Sequence, residues 1–426
     1  MLAALEHGAE GRNIPGGTSS TSPSSPSPGM VWFRLIDKVY AERNLRAAWA
    51  KVRANDGAAG VDHQSLAMFE QRLDANLAEL AQQLRDGSYR PQPVRRVYIP
   101  KPGGGQRPLG IPAVRDRVVQ QALRHVLEPI FERDFATHSY GFRPGTGCKD
   151  ALRRVDELLG QGYGHVVDAD LTSYFDTIPH ERLMQLVRQK VADGRVLKLI
   201  ESFLTQGVMD GLDQWAPAAA AGSPQGAVVS PLLSNIYLDP LDHLMAAAGF
   251  QMVRYADDFV ILCRSESEAR AALDRVRQWT AQAGLALHPD KTRVVDARTE
   301  SFQFLGYHFE RGRKWPRAKS LGKFRDAIRS ATRRTSGRSL PRIIAEDLNP
   351  KLRGWFGYFK HSYKTTFPYL DGWIRMRLRS ILRKRHRGKG RGRGRDHQRW
   401  PNAYFAGLGL FSLTAAHRLA CQSVVR

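Results

Sequence analysis

Three cysteines, Cys148, Cys263 and Cys421, lie far apart with no Cys-x-x-Cys pair, so neither a disulfide framework nor a thiolate zinc site is expected. No apolar run approaches the roughly 18 residues that a membrane span requires. The N-terminus lacks the basic, apolar and small-residue order of a secretory signal. A cytoplasmic location is expected. Residues 1–30 are too poor in apolar side chains for a core. The Ser/Thr/Pro run over 14–29 reads as disordered, and Met1 and Met30 both qualify as starts. Acidic residues are scarce at one end only. Residues 311–426 hold 30 Lys/Arg against 5 Asp/Glu, whereas the first 310 hold 35 against 36. The net charge of +24 therefore lies wholly in the last quarter of the chain. A solvated basic face is one reading; a polyanion-binding appendage on a neutral catalytic body is the stronger one. With 42% hydrophobic residues over 426 positions, two or three domains can be built.

The most informative stretch is Tyr255-Ala256-Asp257-Asp258, set between Val253 and the apolar run Phe259–Cys263. Strand formers on both sides predict a tight hairpin with carboxylates at its tip. A second acidic strand end lies upstream in Val166-Val167-Asp168-Ala169-Asp170-Leu171. Side chains alternate along a strand, so Asp168 and Asp170 share a face opposite Ala169 and Leu171. If this strand lies beside the hairpin, Asp170 and Asp257 can share two metal ions roughly 3.5–4 Å apart, the arrangement that steadies in-line displacement at phosphorus. Taken singly, each acid is better read as a strand terminator that caps the following turn; it is the set, with the blocks that follow, that favours the metal reading.

Ordered blocks then carry a resemblance. They are PVRRVYIPKPGGGQRPLGIP (93–112), HSYGFRPGTG (138–147), DADLTSYFDTIPHERL (168–183), GSPQGAVVSPLLSNIYLDPLD (222–242), YADDFVIL (255–262), GLALHPDKT (284–292) and FQFLGY (302–307). Together they resemble the fingers and palm of a reverse transcriptase of the kind encoded by bacterial group II introns. GWFGYF (354–359) continues the likeness into the thumb, or maturase, domain. The resemblance implies an α+β right-hand polymerase with an antiparallel palm sheet, followed by a helical thumb. Expected divisions are a disordered 1–30, fingers and palm over 31–310, thumb over 311–387, and a basic linker with a short C-terminal segment over 388–426. It implies RNA-directed DNA synthesis with two Mg²⁺ ions, for which Mn²⁺ can substitute. The implied partners are intron RNA, an RNA template, a DNA primer or target, and deoxynucleoside triphosphates.

The same resemblance assigns residues. Asp170 and Asp257 become metal ligands, Asp258 a third acid with a ligating or supporting place, and the Leu171 carbonyl a further donor; Asp168 and Asp176 fit worse. Lys101 and Arg107, flanking the Gly103–Gly105 turn, would clamp the triphosphate; the Gly-Lys-Ser/Thr ending of a Walker loop is missing. Phe175 would exclude a ribose 2′-hydroxyl, with a plain core phenylalanine as the rival reading. Gln225 and Gly226 would pack on the templating pair. Lys291 would face the leaving pyrophosphate or stand as an ordinary surface lysine. Phe302, Leu305 and Gly306 would grip the primer end. No His-Asn-His nuclease is expected after the thumb. Two other functions stay open: an RNA-binding splicing maturase that does not polymerise, and an intron-free polymerase in repair or phage defence.

Elsewhere periodicity predicts helices. Leu66, Phe69, Leu73, Leu77, Leu80 and Leu84 mark one buried face, and Val114, Val118, Ala122, Val126 and Ile130 another. From Trp373 to Arg387, Ile374, Leu378, Ile381 and Leu382 share a side, while Arg375, Arg379 and Arg383 form a ladder suited to phosphates. The Gly/Arg-rich run that follows is expected to be flexible until RNA orders it.

Overall fold

Strand alternation organises the centre of the molecule. In the computed structural model, residues 30–100, 105–210, 214–217, 221–223, 226–392 and 394–422 are described. The strands are β1 (Val94–Pro100), β2 (Gln106–Ile111), β3 (His165–Asp170), β4 (Val208–Asp210), β5 (Gln214–Ala216), β6 (Gln251–Tyr255), β7 (Asp258–Cys263), β8 (Arg293–Asp296), β9 (Ser301–Phe304), β10 (Tyr307–Glu310) and β11 (Arg313–Pro316). The palm sheet runs β6-β7-β3-β8, with every neighbour antiparallel. The fold is the α+β right hand that the motifs imply.

Each palm strand buries two faces. Val167, Ala169, Phe259 and Ile261 join the large core with the helices Ser230–Ala247 and Glu266–Gln282. Val166, Val253, Val260 and Leu262 pack instead against the helix Cys148–Gly160 and against β9 and β10. Asp168, Asp170 and Asp258 fall on this second face by the same alternation. The β1–β2 finger hairpin belongs to a separate sheet, β2-β1-β4-β5.

Helices stand where the periodicity puts them, with one difference. Phe69, Leu77, Leu80 and Leu84 are buried, and Leu66 and Leu73 half-buried, along two helices that meet at Arg72. The helix Val114–Glu132, expected to bury one face, is buried nearly all round. Val119, Leu123 and Leu127 fill its other sides because the preceding helices Ile36–Tyr40 and Glu42–Asn55 and the later helix Ser230–Ala247 pack around it.

Past Arg317 the chain is helical. A core of Phe324, Ile328, Leu352, Phe367, Ile374, Leu378 and Ile381 also takes in Trp400, Phe405 and Leu413. The last forty described positions are thus packed into the same body rather than trailing from it. The Gly/Arg run folds back along the helix Thr366–Arg385. Gly392 donates its N–H to Ser380 Oγ at 3.0 Å, and any Cβ there would overlap Arg379. No helix among the described residues is long and apolar enough to cross a membrane.

Candidate active site

Asp170 ends β3 directly opposite Asp258, the first residue of β7. Opposed residues of antiparallel strands lie about 4.5–5.5 Å apart at Cα, so the two motifs meet at one sheet end. The intervening turn is a two-residue hairpin, Ala256-Asp257, closed by the Tyr255–Asp258 pair. Ala256 sits at φ 59° while Asp257 keeps a negative φ, the pattern of a type II′ turn without its usual glycine. Ser173 (φ 48°) and Leu305 (φ 46°) are also left-handed. Such strain gathers where surrounding structure over-determines a functional backbone.

The acids feel one another. Burial pushes the Asp258 carboxyl up to about 7, and the charges of Asp257, Asp168 and Asp170 add to the shift. Burial likewise raises Asp257, with Asp170 adding repulsion and Arg107 of β2 opposing it. Two groups hold the acids in place. Lys291 Nζ bonds Asp170 Oδ2 at 2.5 Å. Its loop is docked on β3 by His288 N–H to Asp170 O at 2.7 Å and Thr172 N–H to Ala286 O at 2.8 Å. Both bonds flank the Leu171–Leu287 bridge, so the Leu171 carbonyl points the other way, toward the Ala256-Asp257 turn. On the far side, Asp258 accepts the Leu305 N–H, and Asp168 accepts the Gln303 N–H and pairs with Arg293 at 3.6 Å. Asp168 and Asp258 therefore anchor the 302–307 segment on the palm.

Asp170 leans to Lys291 and Asp258 to Leu305. Among the described residues, no three carboxylate, histidine or cysteine side chains form a group that could hold an ion. The donor chemistry still suits a hard divalent cation: crowded carboxylates whose repulsion a positive charge relieves, with the Lys291 ammonium already on one of them.

The remaining expected residues divide. Phe175 is half-buried, edge-on to Tyr174 at 5.4 Å, and its carbonyl accepts the Ser223 N–H at 2.7 Å. Gly226 has φ +114°, and a Cβ there would lie 2.5 Å from Gly110 O, so glycine at 226 lets the finger hairpin approach this closely. Lys101 and Gln225 lie outside the described residues. Leu305 and Gly306 form a type I′ turn joining β9 to β10, and Tyr358 Oη holds the Leu305 carbonyl at 2.7 Å. Phe302 is a correction: it is wholly buried, stacked on Phe309 at 4.7 Å, and supports the turn without reaching a primer. The arginine ladder is another. Arg379 is 2% exposed and bonds Trp400 O and Asn402 Oδ1, while Arg383 pairs with Asp396 at 2.6 Å and bonds Lys389 O. The C-terminal segment packs on that helix face and consumes both guanidiniums; Arg375 remains half-buried at the side.

Sequence reasoning missed the support behind the hairpin. Arg254, fully buried, bonds Asp242 with Nε and Nη2, Asn235 Oδ1 at 3.0 Å and the Ala256 carbonyl at 2.8 Å. Asn235 in turn donates to Gly141 O at 2.8 Å, and a Cβ on Gly141 would overlap Ala256 N. A lone arginine inside an apolar strand was the available signal.

Comparison with known proteins agrees with this geometry. Residues 99–309 match the family described as reverse transcriptase (RNA-dependent DNA polymerase), and residues 321–400 the group II intron, maturase-specific domain. The chain is 37% identical over 335 residues to Protein YkfC of Escherichia coli, covering 68% of this chain and 86% of that protein. The chain belongs to the group II intron reverse transcriptase and maturase family. This reverse transcriptase is also 38% identical over 216 residues to the Group II intron-encoded protein LtrA of Lactococcus lactis, across 50% of this chain and 35% of LtrA. An uncharacterized 91 kDa protein in the cob intron of Schizosaccharomyces pombe is 31% identical over 287 residues, across 54% of this chain and 35% of that protein. The reverse transcriptase thus spans most of YkfC and about a third of the other two. Reverse transcriptases as a family work with divalent metal ions.

Proposed function

We propose that this protein copies RNA into DNA, joining a primer 3′-hydroxyl to the α-phosphate of a deoxynucleoside triphosphate, and that it binds the RNA of a group II intron to assist splicing and mobility. The observation that carries the reading is the register that sets Asp170 across from the Tyr255–Asp258 hairpin. Asp170 and Asp257 would hold divalent ions, Mg²⁺ by the hardness of the donors, with the Leu171 carbonyl facing the same turn. When bound, such ions stabilise the attacking and leaving oxygens of the displacement. Asp258 keeps the 302–307 turn docked beside the acids. Arg107 brings positive charge from the fingers to the same place, which suits a triphosphate. Lys291 reaches the acid cluster and is the cation best set to meet a departing pyrophosphate. Phe175 offers apolar bulk beside Ser223, where a sugar is screened by exclusion. The basic C-terminal body, with its match to the maturase-specific domain, supports intron RNA as the polyanion.

Primer extension on an RNA template tests this directly. Asp257→Ala should lower synthesis on the order of 10³-fold or more, because several kcal/mol of charge stabilisation go with the ion. RNA binding should survive nearly intact. A variant that extends primers at the wild-type rate would end the assignment. A splicing role rests on the second domain and is read separately, as protein-stimulated excision of intron RNA with the same variant.

A further inference from the structure

Between the helices Ala318–Ala331 and Thr366–Arg385 lies a cavity of about 410 Å³. One wall carries Arg325 and Arg329, four residues apart; the other carries Tyr369, Trp373 and Arg377 at the same spacing. Residues spaced this way share one helix face, so two stripes confront each other. Arg334 and Arg391 also line it, and among the described residues no carboxylate lines the space.

Each ring has an arginine over it. The Arg325 guanidinium stands 5.5 Å from the Tyr369 ring, and those of Arg329 and Arg377 stand 6.0 Å and 5.5 Å from Trp373. Arg377 is fixed by Thr332 Oγ1 at 2.6 Å and by the carbonyls of Arg329 and Thr332. Burial and then the neighbouring charges of Arg329 and Arg334 depress its pKa. Arg329 reaches one acid, Asp326, on the solvent side. With Asp326 alone to offset them, these gathered cations repel one another, and a further anion is the missing partner. An anion alone does not explain the rings. Tyr369 is 62% exposed, a large aromatic face left open beside the cations. Phosphate and a free aromatic face coincide in an unstacked nucleotide; a duplex presents phosphates but hides its base faces.

We propose that this cavity captures an unstacked nucleotide of looped RNA, its base on the Tyr369 ring above Trp373 and its phosphates on Arg325 and Arg329. The proposal rests on the reading that the protein works on RNA, and it adds a site apart from the acids of the palm.

The test compares binding of the full chain to two labelled RNAs with equal numbers of phosphates, a hairpin with an unpaired loop and a blunt duplex. The wild type should prefer the loop. Tyr369→Ala should weaken loop binding roughly tenfold, the worth of one stacked base, and leave duplex binding within about twofold. Tyr369→Phe should keep the preference, because the ring stacks without its hydroxyl. As Tyr369 is mostly exposed, neither change removes core packing. A wild type without loop preference, or a Tyr369→Ala variant that loses both RNAs equally or neither, overturns the proposal. Primer extension by the same wild-type preparation keeps the two readings apart: loop preference without synthesis sinks the polymerase and leaves the pocket standing.

Discussion

Arg254 gives the most demanding prediction, because it separates holding the fold from placing the acids. Burial opposes its charge, and the Asp242 carboxylate outweighs that cost, holding the guanidinium above its ordinary range. Arg254→Met strands Asp242 as a buried charge and leaves the Asn235 and Ala256 acceptors without their donor. Breaking one side of such a pair costs about 3–5 kcal/mol. Adding Asp242→Leu removes the orphaned charge, and replacement of a whole buried pair by apolar side chains is close to neutral. Resistance to urea should therefore fall in the single variant and largely return in the double. Synthesis should not return. Ala256 is the first residue of the hairpin turn, and a shift of about 1 Å at a reacting group costs on the order of 10²-fold. The assay is single-nucleotide incorporation, reported as kcat and KM, beside urea denaturation. If the double variant regains both stability and kcat, Arg254 does not position the hairpin and the reasoning fails.

Three other outcomes are expected. Phe175→Ala should raise ribonucleotide incorporation in a competition assay; unchanged sugar selectivity would return Phe175 to the core. Gly226→Ala, forced to φ +114° and against Gly110 O, should raise the nucleotide KM roughly tenfold, since a left-handed residue with a Cβ costs about 1–2 kcal/mol. Asp116, buried against the Tyr89 hydroxyl at 2.6 Å and the Gln92 N–H at 2.9 Å, is pushed up by burial to about 6. Its folded pKa exceeds the unfolded one, so its stabilising contribution is full below about pH 4 and is lost as pH rises through about 6. The loss should total about 3 kcal/mol by neutral pH, and Asp116→Asn should flatten that part of the stability curve.

Local pattern made much of the fold and part of the candidate site legible. Alternation placed Asp168 and Asp170 on one face, the Tyr255–Asp258 segment read as a hairpin, and leucine spacing marked the buried faces at 66–84. These are properties of a few neighbouring residues, and short-range sterics enforce them wherever the chain goes. Partners at long range were not legible. Arg254 reads as any strand arginine until Asp242 and Asn235 arrive from another helix. Phe302 reads as a primer contact until Phe309 stacks on it. Arg379 and Arg383 keep ladder spacing, yet the C-terminal segment packs on their side of the helix and turns them inward, while Arg377 meets the open cavity. The one-dimensional chain determined which residues could share a face; only the folded one decided what each face would meet, because burial and pairing depend on segments distant in sequence.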